Sequence, residues 1–559
     1  MARVTCFIRL LGLVSVWAVA AHAQAPEGQP GRFGTRVQVR LGSVSVSVVD
    51  EHGEPVCDLG AGDFALRIDG QERAITHFEA CEPAATTTTP AMPGLASPVV
   101  ASSDPEDGTV WVVVVDQGNI SVFSRKEVLL RLATFVRARV RPPDRVTILV
   151  LAKRLEVACP LTTDVDAVIR AIETLGASTA GVGTSRAIMR MGEAQIRLIW
   201  EEPGGMKPDR MMMTARAAAG QIRDILRATC GNLERLMRSL AGVEGRKALV
   251  YVSDGLPMQP ARELFTLVTE FFPMLSTTGG GADSFQANDL FAELGDFAAA
   301  AGVAFYPIDA LGVHNTAGFE AERRESHSNE VATLTRYNHQ QTLSYLAART
   351  GGVAVLNTND FAGALGRIAD TVEQTCTLGF PLDGLDPDRP LRVEVALRAP
   401  RDVRLRYRPV FVNRRPDTAV ADRTSAGLVF DLGDNPLHVS LSTQPPRAVA
   451  KTGCTVPLVI RVPLAGLALP PVGDELAGAV TVFYQAGDAE GRRSALARTR
   501  HEIRLPADRA AAVKELAVST EIEIGTGDAR VSVGVLDEVS GLAGYATAQA
   551  TCAAATPAP

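Results

Sequence analysis

An α/β fold, with a doubly wound and mostly parallel sheet, is the class this sequence predicts for its middle. Three observations carry the expectation. Short, continuously apolar runs alternate with segments of helical periodicity from 108 to about 380. Period-two alternation of apolar and polar residues dominates on both sides of that stretch. The chain has 559 residues, too many for one hydrophobic core, so several units are expected.

The elements follow in order. Arg3 and Arg9 precede an apolar run from Leu10 to Ala20, and Ala21-His22-Ala23 matches a signal-peptidase site. Residues 1–23 therefore read as a signal peptide cleaved after Ala23. The run is shorter than the roughly 20 residues a permanent membrane span needs. The mature chain is expected to be secreted or periplasmic, with no integral membrane segment, in a compartment where disulfides persist. Cleavage moves the formal charge from −7 to −9 as two arginines leave. No Lys/Arg block stands out, which argues against a nucleic-acid partner.

Residues 24–82 read as a small β-rich domain. Val37–Leu41, Val44–Val48, Phe64–Ile68 and Ala74–Phe78 are its strand candidates, the last two forming a hairpin around Asp69-Gly70. Residues 83–107, with four consecutive threonines and repeated Pro, Ala and Ser, read as a linker. In the α/β domain over 108–380, buried strands are expected at Val110–Val115, Val146–Leu151, Lys247–Val252, Val303–Ile308 and Val353–Leu356, with an edge strand at Leu155–Ala158. Helices are expected over Ser124–Val140, capped by Ser124, and over Asp164–Leu175, Gln340–Arg349 and Phe361–Val372. The stretches near 191–240, with a Pro/Gly break at 202–205 and a long helical segment over Thr214–Leu240, and near 312–335 do not fit a minimal domain and read as insertions or loops at the rim of the sheet. Residues 381–412 read as a β-hairpin extension, residues 413–425 as a polar bridge, and 426–553 as a C-terminal β-sandwich.

Cys6 leaves with the signal, and the seven remaining cysteines cannot all pair within one chain. Pairs local to a unit are favoured, Cys57 with Cys81 and Cys454 with Cys552, leaving Cys159, Cys230 and Cys376 to share at most one further bond. Buried free thiols throughout are the alternative. No Cys/His cluster has zinc spacing. No nucleophile elbow, phosphate loop or zinc-protease motif occurs, so no catalytic residue is assigned and an enzyme is not expected.

Ligands of open parallel sheets bind beyond the carboxyl ends of the strands. Asp116 and Asp254 stand at two such ends, and Asp309 at a third. An apolar strand ending in Asp116, the later Gly183-Thr184 and the strand ending in Ser253-Asp254-Gly255 resemble the von Willebrand factor type A (VWA) domain. The resemblance extends to the bacterial, acidobacterial-type VWFA-related proteins through Val48-Val49-Asp50, Gly62-Asp63-Phe64, Gly245–Leu256, Tyr306–Ala310 and Thr350-Gly351-Gly352, covering roughly 37–410. It implies a Rossmann-like core and a metal-ion-dependent adhesion site holding Mg²⁺ or another divalent cation. Asp116, Thr184 and Asp254 would be its ligands. Gly118 and Ile120 stand where that site has two serines, so it is degenerate here, and without those hydroxyls a cation would lose two oxygen ligands. The expected function is protein–protein interaction or adhesion through this rim, with an unidentified protein partner. The alternatives are a structural envelope-assembly component with no ligand at the rim, and a metal-assisted hydrolase.

Overall fold

The structure, a computed structural model, describes residues 41–81, 108–178, 184–278, 281–313, 329–449, 453–488, 490–509 and 512–553. The signal-peptide and linker segments, Val37–Arg40 and most of 312–335 lie outside these. All the described residues belong to one compact unit, Arg40–Pro559. It is mixed α/β, with a mostly parallel sheet flanked by antiparallel sheets.

The N-terminal strands are β1 (Leu41–Val49), β2 (Phe64–Ile68), β3 (Gln71–Arg73) and β4 (His77–Glu79). The hairpin at Asp69-Gly70 forms, but its second arm is β3, with Ile68 opposite Gln71. A two-residue loop needs positive φ at both central positions, and Asp69 (φ 50°) and Gly70 (φ 77°) supply it. The expected arm Ala74–Phe78 instead contributes β4 to another sheet.

The parallel sheet is built from β5 (Thr109–Asp116), β6 (Arg145–Leu151), β7 (Leu155–Thr162), β8 (Arg246–Ser253) and β9 (Val303–Asp309), in the order β7-β6-β5-β8-β9. Only β7, at the edge, is antiparallel. Strands β5 and β8 carry continuous buried runs, Val110–Val115 and Ala248–Val252, because both faces are covered. On one side lie α1 (Val122–Arg139), α2 (Val165–Ala177) and, later in the chain, Phe361–Glu373. On the other lie α3 (Thr184–Glu201), α4 (Lys207–Leu240), α5 (Arg262–Phe271), α6 (Asn288–Ala300) and α7 (Asn329–Thr350). The helix Phe361–Glu373 is α8.

Three local expectations are corrected. Ser121, not Ser124, caps α1, its hydroxyl accepting from the Ser124 amide at 3.1 Å. Val353–Leu356 makes a single bridge, Val355 to Ile308, rather than a strand. The long helical segment expected over Thr214–Leu240 forms but starts at Lys207, giving 34 residues, and it covers a face of the sheet instead of standing at its rim. Its stripe of Met211, Ala215, Ala219, Ile222, Leu226, Leu233, Met237 and Leu240 lies at helical spacing and packs beneath Val112, Leu149 and Tyr251.

The chain then returns. β10 (Cys376–Pro381), β11 (Pro390–Leu397), β12 (Arg404–Tyr407) and β13 (Val410–Val412) complete two four-stranded sheets, β12-β1-β10-β4 and β13-β11-β2-β3. The expected hairpin extension does not exist as such. β11 pairs with β2, Val393 opposite Ile68, while β12 pairs with β1, Val46 opposite Tyr407. Both strands alternate, so each gives its apolar side to the core of Val46, Leu66, Phe64, Leu378 and Val393 between the sheets. The expected polar bridge contains a helix, α9 (Pro416–Ala426), opened by a proline in its first turn.

The C-terminal unit comprises β14 (Ser440–Thr443), β15 (Arg447–Val449), β16 (Gly453–Pro463), β17 (Pro471–Val472), β18 (Glu475–Asp488), β19 (Ala497–Pro506), β20 (Glu515–Gly525), β21 (Gly527–Asp537) and β22 (Ala543–Cys552). One sheet holds β14, β15, β16 and β20, the other β17, β18, β19, β21 and β22. Val456, Leu458, Ile460, Val482, Val531 and Val533 fill the space between. Disulfides join Cys57 to Cys81 and Cys454 to Cys552, the second crossing from β16 to β22, one strand of each sheet. Cys159, Cys230 and Cys376 are buried free thiols.

Candidate functional site

Asp116 ends β5 and Asp254 follows the neighbouring β8, so the parallel register brings them to the same lip of the sheet. The loop 117–121 connects them. Asn119 donates to Asp116 from its backbone at 3.2 Å and from its side-chain amide at 3.0 Å. Its carbonyl accepts from the Asp254 amide at 2.9 Å, and the Ser121 amide donates to Asp254 Oδ2 at 2.9 Å.

Asp116 is fully enclosed. The Tyr251 phenol donates to its Oδ2, and Ser253 Oγ donates to the same atom at 3.2 Å. Burial pushes its carboxyl above the usual range, while these donors pull the other way. Asp254 is also buried, and burial lifts it to about 6 against the opposing pull of the Arg186 guanidinium, which donates to Oδ2. Its Oδ1 is buried and has no hydrogen-bond partner among the described residues. Asp309, in register with Ser253 at the end of β9, accepts from the Leu311 amide at 3.1 Å and from Gln340 Nε2 at 2.7 Å. Its carboxyl too is raised by burial.

Thr184 is exposed at the first residue of α3 and hydrogen-bonds neither aspartate. Its neighbour Ser185 reaches Asn119 Oδ1 at 3.4 Å. Gly118 and Ile120 present no hydroxyl, and Ile120 is packed into the core beneath α1. A divalent cation between the aspartates would need their lone pairs directed outward, with further oxygens around it. Phenol, hydroxyl and amide donors instead cover Asp116, and a guanidinium faces Asp254. As placed, donors of the chain occupy Asp116 and one oxygen of Asp254, and Asp254 Oδ1 alone is left unpaired among the described residues. Among the described residues, no group of three or more His, Cys, Asp or Glu side chains is placed to share a metal.

Sequence reasoning found the two aspartates, the Ser253-Asp254-Gly255 turn, and Asn119 and Ser121 as loop residues that could stand in for the missing serines; it missed Arg186 and Tyr251 as partners of the carboxylates. Tyr251 carried a signal: a phenol inside an otherwise aliphatic buried strand needs a hydrogen-bond partner. Arg186 carried none, since one arginine on an amphipathic helix reads as a solvated side chain.

The same lip bears exposed apolar side chains. Phe123 (74% exposed) and Val122 stand in the first turn of α1, beside the cap that meets Asp254. Val313 follows β9, and Tyr337 (61% exposed) stands on α7 beside Asn338, whose amide holds Gln259 in the loop after β8.

No family model and no curated protein matches the chain. Among solved structures it is similar to an aerotolerance-related membrane protein from Bacteroides fragilis, at 10% identity over 47% of this chain and 98% of that one, TM-score 0.24. It is similar to BatB from Bacteroides thetaiotaomicron, at 11% identity over 47% and 96%, TM-score 0.22. A PilB minor pilin from Streptococcus sanguinis aligns at 10% identity over 60% and 88%, TM-score 0.26. Likenesses at this level say nothing about what this chain binds.

Proposed function

We propose that this is a protein-binding module of VWA type, acting outside the cytoplasm, which docks a protein partner on the carboxyl-end rim of its parallel sheet without a bridging metal. Arg186 takes the electrostatic role a cation has in the metal-dependent sites, neutralising Asp254 from within the chain. The supporting observation is the lip itself: exposed Phe123 and Val122 open α1 beside the turn that holds Asp254, exposed Val313 and Tyr337 stand on the segments after β9 and over the loop after β8, and Asp116 is held by donors of the chain. Aromatic side chains at the centre of a patch supply most of the binding energy of protein interfaces. The two disulfides support an oxidising compartment, and among the described residues no helix is long and apolar enough to cross a membrane.

A photo-crosslinking amino acid at position 123 tests the reading in the native host. Adducts are expected from 123 and not from Val472, an exposed apolar position on the C-terminal sandwich. Equal labelling from both would overturn rim docking, and none from either would favour the structural alternative. Calorimetric titration with Mg²⁺ and Mn²⁺ is expected to give no binding heat; a saturable heat abolished by Asp116→Ala would overturn metal independence.

A further inference from the structure

At the other end of the parallel sheet, cations gather without their own acids. Arg246 and Lys247 open β8, Gly302 immediately precedes β9, and Arg408 lies between β12 and β13. A Cβ built on Gly302 would stand 2.8 Å from Arg408 Nη1 and 3.6 Å from Lys247 Nζ, so both cationic heads converge on one spot. Lys247 Nζ donates to the Val243 carbonyl at 2.7 Å, and Arg246 donates to the Val372 carbonyl. Arg246 Nε is buried without a partner. Among the described residues, no carboxylate lies within 4 Å of the charged heads of Arg246, Lys247 or Arg408.

The nearby acids are engaged elsewhere. Glu244 pairs with Arg423 at 2.8 Å, Asp422 with Arg414, and Glu373 with Arg139 at 3.0 Å. Facing Lys247 are Arg408, Arg414 and Arg145 on the positive side, with Glu244 and Asp422 on the negative. Around Arg246 stand Tyr306, Glu79, Asp144 and Glu373, none within ion-pair distance. Burial, with Arg408 and Arg414 adding to it, pushes Lys247 down to about 7. Burial and then Arg246 push Arg408 down as well. A guanidinium does not give up its proton, so that repulsion persists at every physiological pH.

We propose that Arg408 and Lys247, whose heads meet beside Gly302 while Arg246 turns to the other face of the sheet, form a binding site for a tetrahedral oxyanion of the phosphate or sulfate class. The planar fork of Arg408 and the point charge of Lys247 are the donor types that hold such an ion. The ion sits where β8 and β9 of the parallel sheet meet the strands returning to the N-terminal sandwich. Binding therefore clamps two units that are otherwise joined across a seam of like charges.

The test is thermal unfolding of the whole mature protein in rising inorganic phosphate or sulfate, with sodium chloride holding ionic strength constant. The midpoint is expected to rise saturably, by a few degrees at about 100 times the dissociation constant. Lys247→Met with Arg408→Met should abolish the rise, and Lys247→Arg should keep it. In parallel, carbon NMR of labelled lysine should show the Lys247 pKa moving up when phosphate binds. If the double variant does not fold, Lys247→Met alone and the NMR titration decide. A rise that never saturates, one that survives the double substitution, or a Lys247 pKa indifferent to phosphate would overturn the site.

Discussion

Asp254 binds a proton more readily in the folded chain than in the unfolded one, because burial lifts its carboxyl from 3.8 to about 6 despite Arg186. Its contribution to stability is therefore full below about pH 4 and is lost as the pH rises through 6, by about 3 kcal/mol. Urea unfolding between pH 4 and 7 should show that fall superimposed on the other titrations. Asp254→Asn should flatten this part of the profile; curves that run parallel would refute the assignment. Tyr251→Phe tests the neighbouring carboxylate. It removes a buried donor to Asp116 while keeping the ring, and should cost about 1–3 kcal/mol by urea unfolding. At this scale the sequence was half legible. Acids at the ends of apolar strands declare themselves, and the Tyr251 phenol inside β8 hints at a partner, whereas Arg186 comes from α3, where nothing local marks it.

At the scale of elements, the residue before a helix does as much as the residues inside it. Ser121 caps α1 and its backbone amide also holds Asp254, so one turn serves both the helix and the site. Ser121→Ala should cost about 1 kcal/mol, whereas Ser124→Ala keeps the amide that the cap satisfies and should cost less. Helix α4 makes a sharper case. Leu226→Ala or Leu233→Ala, each at a fully buried position, should cost about 2–5 kcal/mol by urea unfolding. Met213→Ala, on the exposed side of the same helix, should change stability by less than about 0.5 kcal/mol. Equal losses at both positions would contradict the packing described. The sequence shows a helix over Thr214–Leu240, but the Pro/Gly break before it made the stretch read as an insertion at the rim. Its apolar stripe is visible in the sequence, but only the tertiary structure shows a sheet beneath it.

Across the whole molecule, the α/β unit is inserted into a β-sandwich whose strands come from both of its flanks. Leu66 pairs with Val395 and Val44 with Leu378, contacts over more than 300 residues of chain. Further along, the Cys454–Cys552 bridge closes a loop across the C-terminal sandwich, with a sequence separation of 98. A chain cross-linked over that distance has far fewer unfolded conformations. Cys454→Ser with Cys552→Ser should accordingly destabilise the unit by about 2–5 kcal/mol. Calorimetry of the oxidised protein against the double variant checks this, and an unchanged transition would show the bridge to be inert.

Period two and period 3.6 belong to single segments, so the sequence by itself determined most of the strands and the helices α1, α2 and α8, that the middle is α/β, and which acids end the strands. Alternation is the same whether a strand pairs with its neighbour or with one 300 residues away. Only the tertiary structure decided that β11 and β12 separate into two sheets, that α4 covers the parallel one, and that Arg186 lies against Asp254. Those choices rest on burial and charge balance summed over distant segments, and no local pattern encodes them.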